Sequence, residues 1–126
     1  MDVEVTGDRE LLAALNRAQS RSVPEVEKVV AKGSLNIKKG AQRRVSGLKH
    51  APAYPASISY DLYHGLLTVR SQIGPDKTKR QGALGNLLEF GSRNNAAIPH
   101  LLPEFAAEEP RFVAALEDLA ADLLGG

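Results

Sequence analysis

The groups in this chain that could do chemistry are mostly cations, and the chemistry they offer is the binding of anions. Lys28, Lys32, Lys38, Lys39, Arg43 and Arg44 recur along one stretch, and a short polar segment, Asp76-Lys77-Thr78-Lys79-Arg80, carries three more. Clustered positive charge of this kind suits phosphates or an acidic partner, and it serves equally as a solvated face. The glycines around the second cluster make no phosphate cradle, because neither G-x-x-x-x-G-K-[ST] nor G-x-G-x-x-G occurs.

Catalytic chemistry finds less. His50 follows the long basic stretch, His64 precedes a glycine at a turn, and His100 lies between Pro99 and Pro103; no spacing points to a triad or a metal site, and chance placement accounts for each. Ser46 and Ser92 lack the G-x-S-x-G strand-turn-helix setting of a nucleophile. Glu108-Glu109 and Glu117-Asp118 are sequence neighbours on a helix, so their side chains diverge and cannot share a proton. Cys is absent, which removes thiolate metal sites, cysteine nucleophiles and disulfides. The expectation is a protein that is no enzyme and takes neither metal nor cofactor.

The elements that must hold these groups read as helix, helix, hairpin, helix, helix. Val3 and Val5 alternate with acids in an extended arm over residues 1–7 that can pair with a strand edge. Asp8 caps a short helix from Arg9 to Gln19. Ser22-Val23-Pro24-Glu25 resembles a capping box and starts a second helix, whose Val26, Val29, Val30, Gly33, Ile37, Ala41, Val45 and Leu48 form one apolar face up to a stop at Ser46-Gly47. From Val23 to Ser46 that helix spans roughly 36 Å. Gly33 and Gly40 weaken it by about 1 kcal/mol each relative to alanine, and mark either close approach of another helix or a bend.

Two prolines, Pro52 and Pro55, force a loop. Ile58, Tyr60 and Leu62, then Leu67, Val69, Ser71 and Ile73, alternate with other residues on either side of His64-Gly65, which predicts a hairpin with glycine at positive φ. A lone hairpin is marginal, so the N-terminal arm, another segment or a neighbouring subunit must complete the sheet. Residues 74–82 read as a mobile basic loop, either a plain surface loop or one that orders on DNA or a protein partner. A short helix over Gln81 to Phe90 follows, with Leu84, Leu87 and Leu88 facing one way, Gly82 and Gly85 admitting another backbone, and Gly91 as a left-handed stop. Ile98 to Pro103 sets the entry of a last helix, in which Phe105, Phe112, Leu116, Leu119 and Leu123 form a core or partner stripe and Pro110 kinks or restarts the chain.

Composition fits a single α+β domain over residues 1–126: a long amphipathic helix on a small antiparallel sheet built around a β-hairpin, with a C-terminal helix. At 5% aromatic and without Trp, its core rests on aliphatic residues. No apolar run in residues 1–25 is long enough for a signal peptide or a membrane span, so a cytosolic setting without membrane contact is expected. The net charge of +1 conceals an asymmetry, because residues 1–81 hold 14 basic and 8 acidic side chains while residues 82–126 hold 2 and 7. Opposed halves can attract a neighbouring copy head to tail, an arrangement that closes into a ring when the rotation allows.

The tract Leu84-Gly85-Asn86-Leu87-Leu88-Glu89-Phe90-Gly91-Ser92, followed by Ile98-Pro99-His100-Leu101-Leu102-Pro103, resembles the signature of the tail-component family of long-tailed bacteriophages. The matching positions are Leu87, Glu89, Phe90, Gly91, Pro99, Leu101 and Pro103. The order of elements from about Ser22 to Leu124 fits as well. Departures are Leu84-Gly85 where an aromatic and alanine are usual, Ser92 for threonine, and His100 and Leu102 for phenylalanine and arginine. The resemblance implies a structural virion protein, a ring at the head–tail junction acting as neck, tail-completion or tail-terminator protein, in contact with adjacent connector and tail rings around the DNA channel. Assembly would take place in the host cytoplasm. Asp76, Lys77, Thr78, Lys79 and Arg80 would then meet a partner or line the lumen. A small nucleic-acid-binding or protein-interaction module, using that loop and the face of Lys38, Lys39, Arg43 and Arg44, is the alternative.

Overall fold

The computed structural model of the chain describes residues 2–6, 19–65 and 68–125. Strand β1 (Asp2–Thr6) is followed by helix α1 (Gln19–Arg44), strands β2 (Ile58–His64) and β3 (Thr68–Pro75), helix α2 (Gly85–Phe90) and helix α3 (Leu102–Gly125), with 3-10 turns at Pro55–Ser57 and Gly82–Leu84. The short helix expected over Arg9 to Gln19 lies outside the described residues, except for Gln19, where α1 begins.

The apolar spacing of α1 becomes its buried face: Val26, Val30, Ile37, Ala41 and Val45 are all in the core. Its start departs from expectation, since the helix begins before Ser22 and runs through Pro24. Proline costs little there, because its missing N–H frees only the Ser20 carbonyl within the opening turns. The stop is where glycine predicts it. The Val45 and Ser46 amides reach back to Ala41 and Arg43, and Gly47 then turns at φ 78°.

Between Gln19 and Arg44 the helix is unbroken, so Gly33 and Gly40 mark close approach. A Cβ on Gly33 would lie 3.2 Å from Phe112 Cδ2, and one on Gly40 would run into the Glu104 carboxylate. α3 therefore lies antiparallel against α1, tied by Arg44 Nε to Glu104 Oε1 (2.8 Å) and by Asn36 Nδ2 to Glu108 Oε1 (3.0 Å). α3 continues through Pro110 without restarting. Its stripe faces inward: Phe105 packs on the larger core cluster, and Phe112, Leu116 and Leu119 pack with Val26, Val30 and Val69.

On its other side α1 covers a three-stranded antiparallel sheet in the order β1-β3-β2. The arm at residues 2–6 thus completes the hairpin, with Val3 opposite Ser71 and Val5 opposite Val69. Ile58, Val69, Ser71 and Ile73 are buried. Ser34 Oγ lies 2.7 Å from the Val30 carbonyl and 2.5 Å from Ser71 Oγ; with one proton on each hydroxyl, Ser34 donates to Val30 and accepts from Ser71. Gly65 is not at positive φ, contrary to expectation. Its N–H bonds Thr68 O at 2.9 Å, so Gly65 continues the pairing of His64 with Val69 and does not occupy one of the central turn positions that demand that conformation.

Gly82 does admit another backbone from within the chain, whereas Gly85 makes room for the side chains of Pro75 and Tyr54. A Cβ on Gly82 would strike the Asp76 carbonyl oxygen, whereas one on Gly74 would meet nothing within 4 Å. Gly82→Ala should therefore cost ~1–3 kcal/mol in urea unfolding, while Gly74→Ala should stay within about 0.5 kcal/mol of the parent.

Candidate functional site

α2 has six residues, too few to persist alone, and what fixes it is the carboxylate of Glu89. Glu89 is 4% exposed. Its oxygens accept the backbone N–H groups of His100 (3.2 Å to each), Leu101 (2.9 Å) and Leu102 (3.3 Å). These amides stand at the start of α3, where a helix supplies no acceptors of its own and its dipole favours negative charge. Pro103, next in line, has no N–H to satisfy. The cap thus comes from a different helix.

Gly91 makes this possible. It has φ 77° and ψ −179°, so the left-handed φ is as expected but ψ is extended, a region open essentially to glycine alone. Ser92 and Asn95 then bond each other's backbones, and Ile98 N–H returns to Leu88 O at 2.7 Å. Glu89-Phe90-Gly91 and Pro99 to Pro103 are consequently one structural unit.

His100 corrects the sequence reading, since chance does not place it. The side chain is fully buried; Nδ1 lies 2.9 Å from Ile98 O and 3.2 Å from Glu89 Oε1, and Nε2 lies 2.7 Å from the Tyr54 hydroxyl. Facing two acceptors, Nδ1 carries a proton, and in the neutral ring Nε2 accepts from Tyr54. Burial first, and then the Glu89 charge, push the Tyr54 phenol up to about 12, so it stays protonated and donates. A tyrosine, a histidine and a carboxylate in series would make a proton relay at an open cleft. Here Tyr54 and His100 are 0% exposed and bonded to one another, so the series orients the entry of α3. Tyr54 is 46 positions from His100. The available cue was a lone polar residue inside the frame Ile-Pro-His-Leu-Leu-Pro.

The remaining motif residues divide by side. Leu101 is buried, and Leu84 and Leu88 pack on the core. Leu87, expected beside them, instead faces out at 46% exposure, with Phe90 at 66% and Leu102 at 47%. Leu87 and Phe90 are three apart on α2 and share one face, while Leu102 is exposed at the start of α3, where its amide bonds Glu89. Pro99 is exposed and Pro103 half-buried.

The basic loop is shorter than expected, since Gly74 and Pro75 belong to β3. Asp76 N–H bonds Ser57 O, and Asp76 Oδ1 accepts both the N–H and the hydroxyl of Thr78, which holds that carboxyl below the usual range. Lys79 N–H returns to Asp76 O, and Gly82 N–H to Lys79 O. Gln81, at φ 63°, accepts from Ala53 N–H (2.7 Å) and donates to His50 O (3.3 Å). Gln42 Nε2 also reaches Pro55 O at 3.0 Å. These bonds bring Lys77, Lys79 and Arg80 to the same end of the molecule as Lys39, Arg43 and Lys49. Lys38 is half-buried, and Arg44 is taken by Glu104.

Elsewhere, His64 Nε2 lies 3.5 Å from Glu27 Oε1 on the surface, and no group of His, Asp and Glu suited to a metal gathers among the described residues. A groove of about 330 Å3 between α1 and α3 is lined by Lys28, Lys32, Gly33, Glu108, Arg111 and Phe112, among others. Glu108 Oε2 at its base lies 3.0 Å from Arg111 Nη2 but off the line of a hydrogen bond.

No protein-family model matches the chain, and searches of curated proteins and of solved structures return no match.

Glu89→Ala strands three amides at once and should lower unfolding free energy by about 3 kcal/mol, measured in urea. Tyr54 sets a pH dependence. Between its ordinary 10.0 and its folded value of about 12, the unfolded chain has released the phenolic proton while the native one holds it. Its contribution is complete below pH 10 and lost as pH rises to about 12. Melting temperature should fall across that window in the parent, and less steeply in Tyr54→Phe.

Proposed function

We propose that this protein is a structural component of a long-tailed phage virion, forming a ring at the head–tail junction that joins the tail to the head connector around the DNA channel. The observation that carries this reading is the division of the Glu-Phe-Gly motif. Glu89 points inward and fixes the helix entry, while Phe90 beside it is held outward with Leu87 and Leu102. An aromatic displayed from a rigid mount, with Leu87 one helical turn before it, fits contact with another protein subunit. The buried Tyr54–His100–Glu89 series favours a scaffold over a reaction site.

The order of sequence elements from Ser22 to Leu124 supports the same assignment, as do the opposed charges of residues 1–81 and 82–126. The neck, tail-completion and tail-terminator positions all accommodate such a subunit, with adjacent rings above and below. A nucleic-acid-binding module is the second reading, favoured by the basic end of the molecule, where cations from α1 and from the loop converge.

Light scattering over a range of concentrations should give a mass several times 13.5 kDa. Phe90→Glu should reduce that mass, or abolish joining to purified connector or tail, while leaving the thermal melt within a few degrees of the parent. A protein that stays monomeric at every concentration and joins neither component overturns the proposal.

A further inference from the structure

Among the described residues several cations are engaged, while others, Lys32 on α1 and Arg93 after α2 among them, are exposed and in no ion pair. Lys28 pairs with Glu25 at 3.1 Å, Arg44 with Glu104 at 2.8 Å and Arg111 with Glu108 at 3.0 Å, and Arg70 lies over the Tyr63 ring at 5.0 Å. Lys39, Arg43, Lys49, Lys77, Lys79 and Arg80 are all exposed, and among the described residues none of the six is in an ion pair. They share one end. The Gln81 side chain bonds backbone on both sides of Pro52, Gln42 bonds Pro55, and Ser57 bonds Asp76, so the last turns of α1 and the loop are stitched to the same connecting segment. Asp76, beside these charges, accepts two bonds from Thr78 and feels the Lys79 charge without a close ion pair, and Glu104 is engaged by Arg44.

We infer that this end of the molecule binds the phosphate backbone of duplex DNA without regard to sequence. Six unpaired cations on an ordered frame meet the main requirement of such contacts, positive charge that displaces condensed counterions. The loop's hydrogen bonds use backbone atoms and the side chains of Asp76, Thr78 and Gln81, which leaves the ends of Lys77, Lys79 and Arg80 to the ligand. Base readout and single-strand stacking are disfavoured, because no large apolar or aromatic side chain is exposed among residues 38–50 or 76–81. The same lack argues against a protein partner here, since protein contacts are anchored by aromatic or apolar groups; the exposed ones described, Leu87, Phe90 and Leu102 among them, lie outside both segments. In the proposed ring, on which this surface depends for its biological setting, the basic end faces the channel.

Fluorescence anisotropy with a short labelled DNA duplex of mixed sequence tests the surface. Six contacts bound the slope of log affinity against log salt at about −5. Replacing Lys77, Lys79 and Arg80 together with alanine should weaken binding roughly tenfold or more at low salt and make the slope shallower by about 3. Lys28→Ala with Lys32→Ala, further back on α1, should change affinity less than about twofold. Equal losses in the two variants, absence of duplex binding by the parent, or displacement by polyglutamate as readily as by unlabelled duplex would each overturn the inference. Light scattering on the same samples separates the two proposals: failure to form a ring registers as mass, failure of this surface as anisotropy.

Discussion

Three amides at the beginning of α3 have no acceptor within their own helix, and one end of the molecule is arranged around the carboxylate that takes them. Glu89 reaches them only because Gly91 reverses the chain in a conformation closed to other residues, and because the turn through Ser92 and Asn95 brings Ile98 back onto Leu88. His100 and Tyr54 then brace the same carboxylate from behind. A buried charge without these partners would cost several kcal/mol; with three amides and an imidazole around it, the charge becomes the joint between two helices. The outward placement of Phe90 follows from the inward placement of its neighbour.

The middle of the molecule relies on closeness of a different kind. Gly33 and Gly40 let α3 come near the α1 backbone, and the helix-propensity loss at each is offset by the packing of Phe112 and the seating of Glu104. Ser34 and Ser71 fix α1 to the central strand by a hydrogen bond between two hydroxyls in the core, which gives that contact a register that aliphatic packing alone would leave looser. α1 thus has a different chemistry on each side: glycine, an ion pair and an amide–carboxylate hydrogen bond toward α3, serine and aliphatic side chains toward the sheet.

Much of this was legible in the sequence because it is local. The buried face of α1, the alternation of β2 and β3, the glycine stops at Gly47 and Gly91, and the proline-framed entry to α3 each depend on residues a few positions apart. The unread parts depend on long-range pairing. Tyr54 and His100 meet across 46 positions and Ser34 and Ser71 across 37, and neither pair has a spacing that periodicity can register. Pro24 misled in another way: capping-box residues mark helix starts statistically, yet proline is nearly as well tolerated a turn further in. Leu87 was misplaced because a six-residue helix has too little length to define a face. Of the basic groups, sequence supplied the cations but not which were already spoken for, a distinction that rests on where Glu104 and Glu108 come to lie.

β3 sits in the middle of the sheet although β1, one of its two partners, comes from the other end of the chain order. During synthesis β1 leaves the ribosome early and waits while about 60 further residues emerge, roughly 3–12 s at ordinary elongation rates. β2 and β3 can close their hairpin within microseconds of appearing. The nascent subunit therefore closes its hairpin with one open margin beside Thr68 to Gln72, and its own waiting β1, tethered and so at high effective concentration, covers that margin ahead of a neighbour's on the same message.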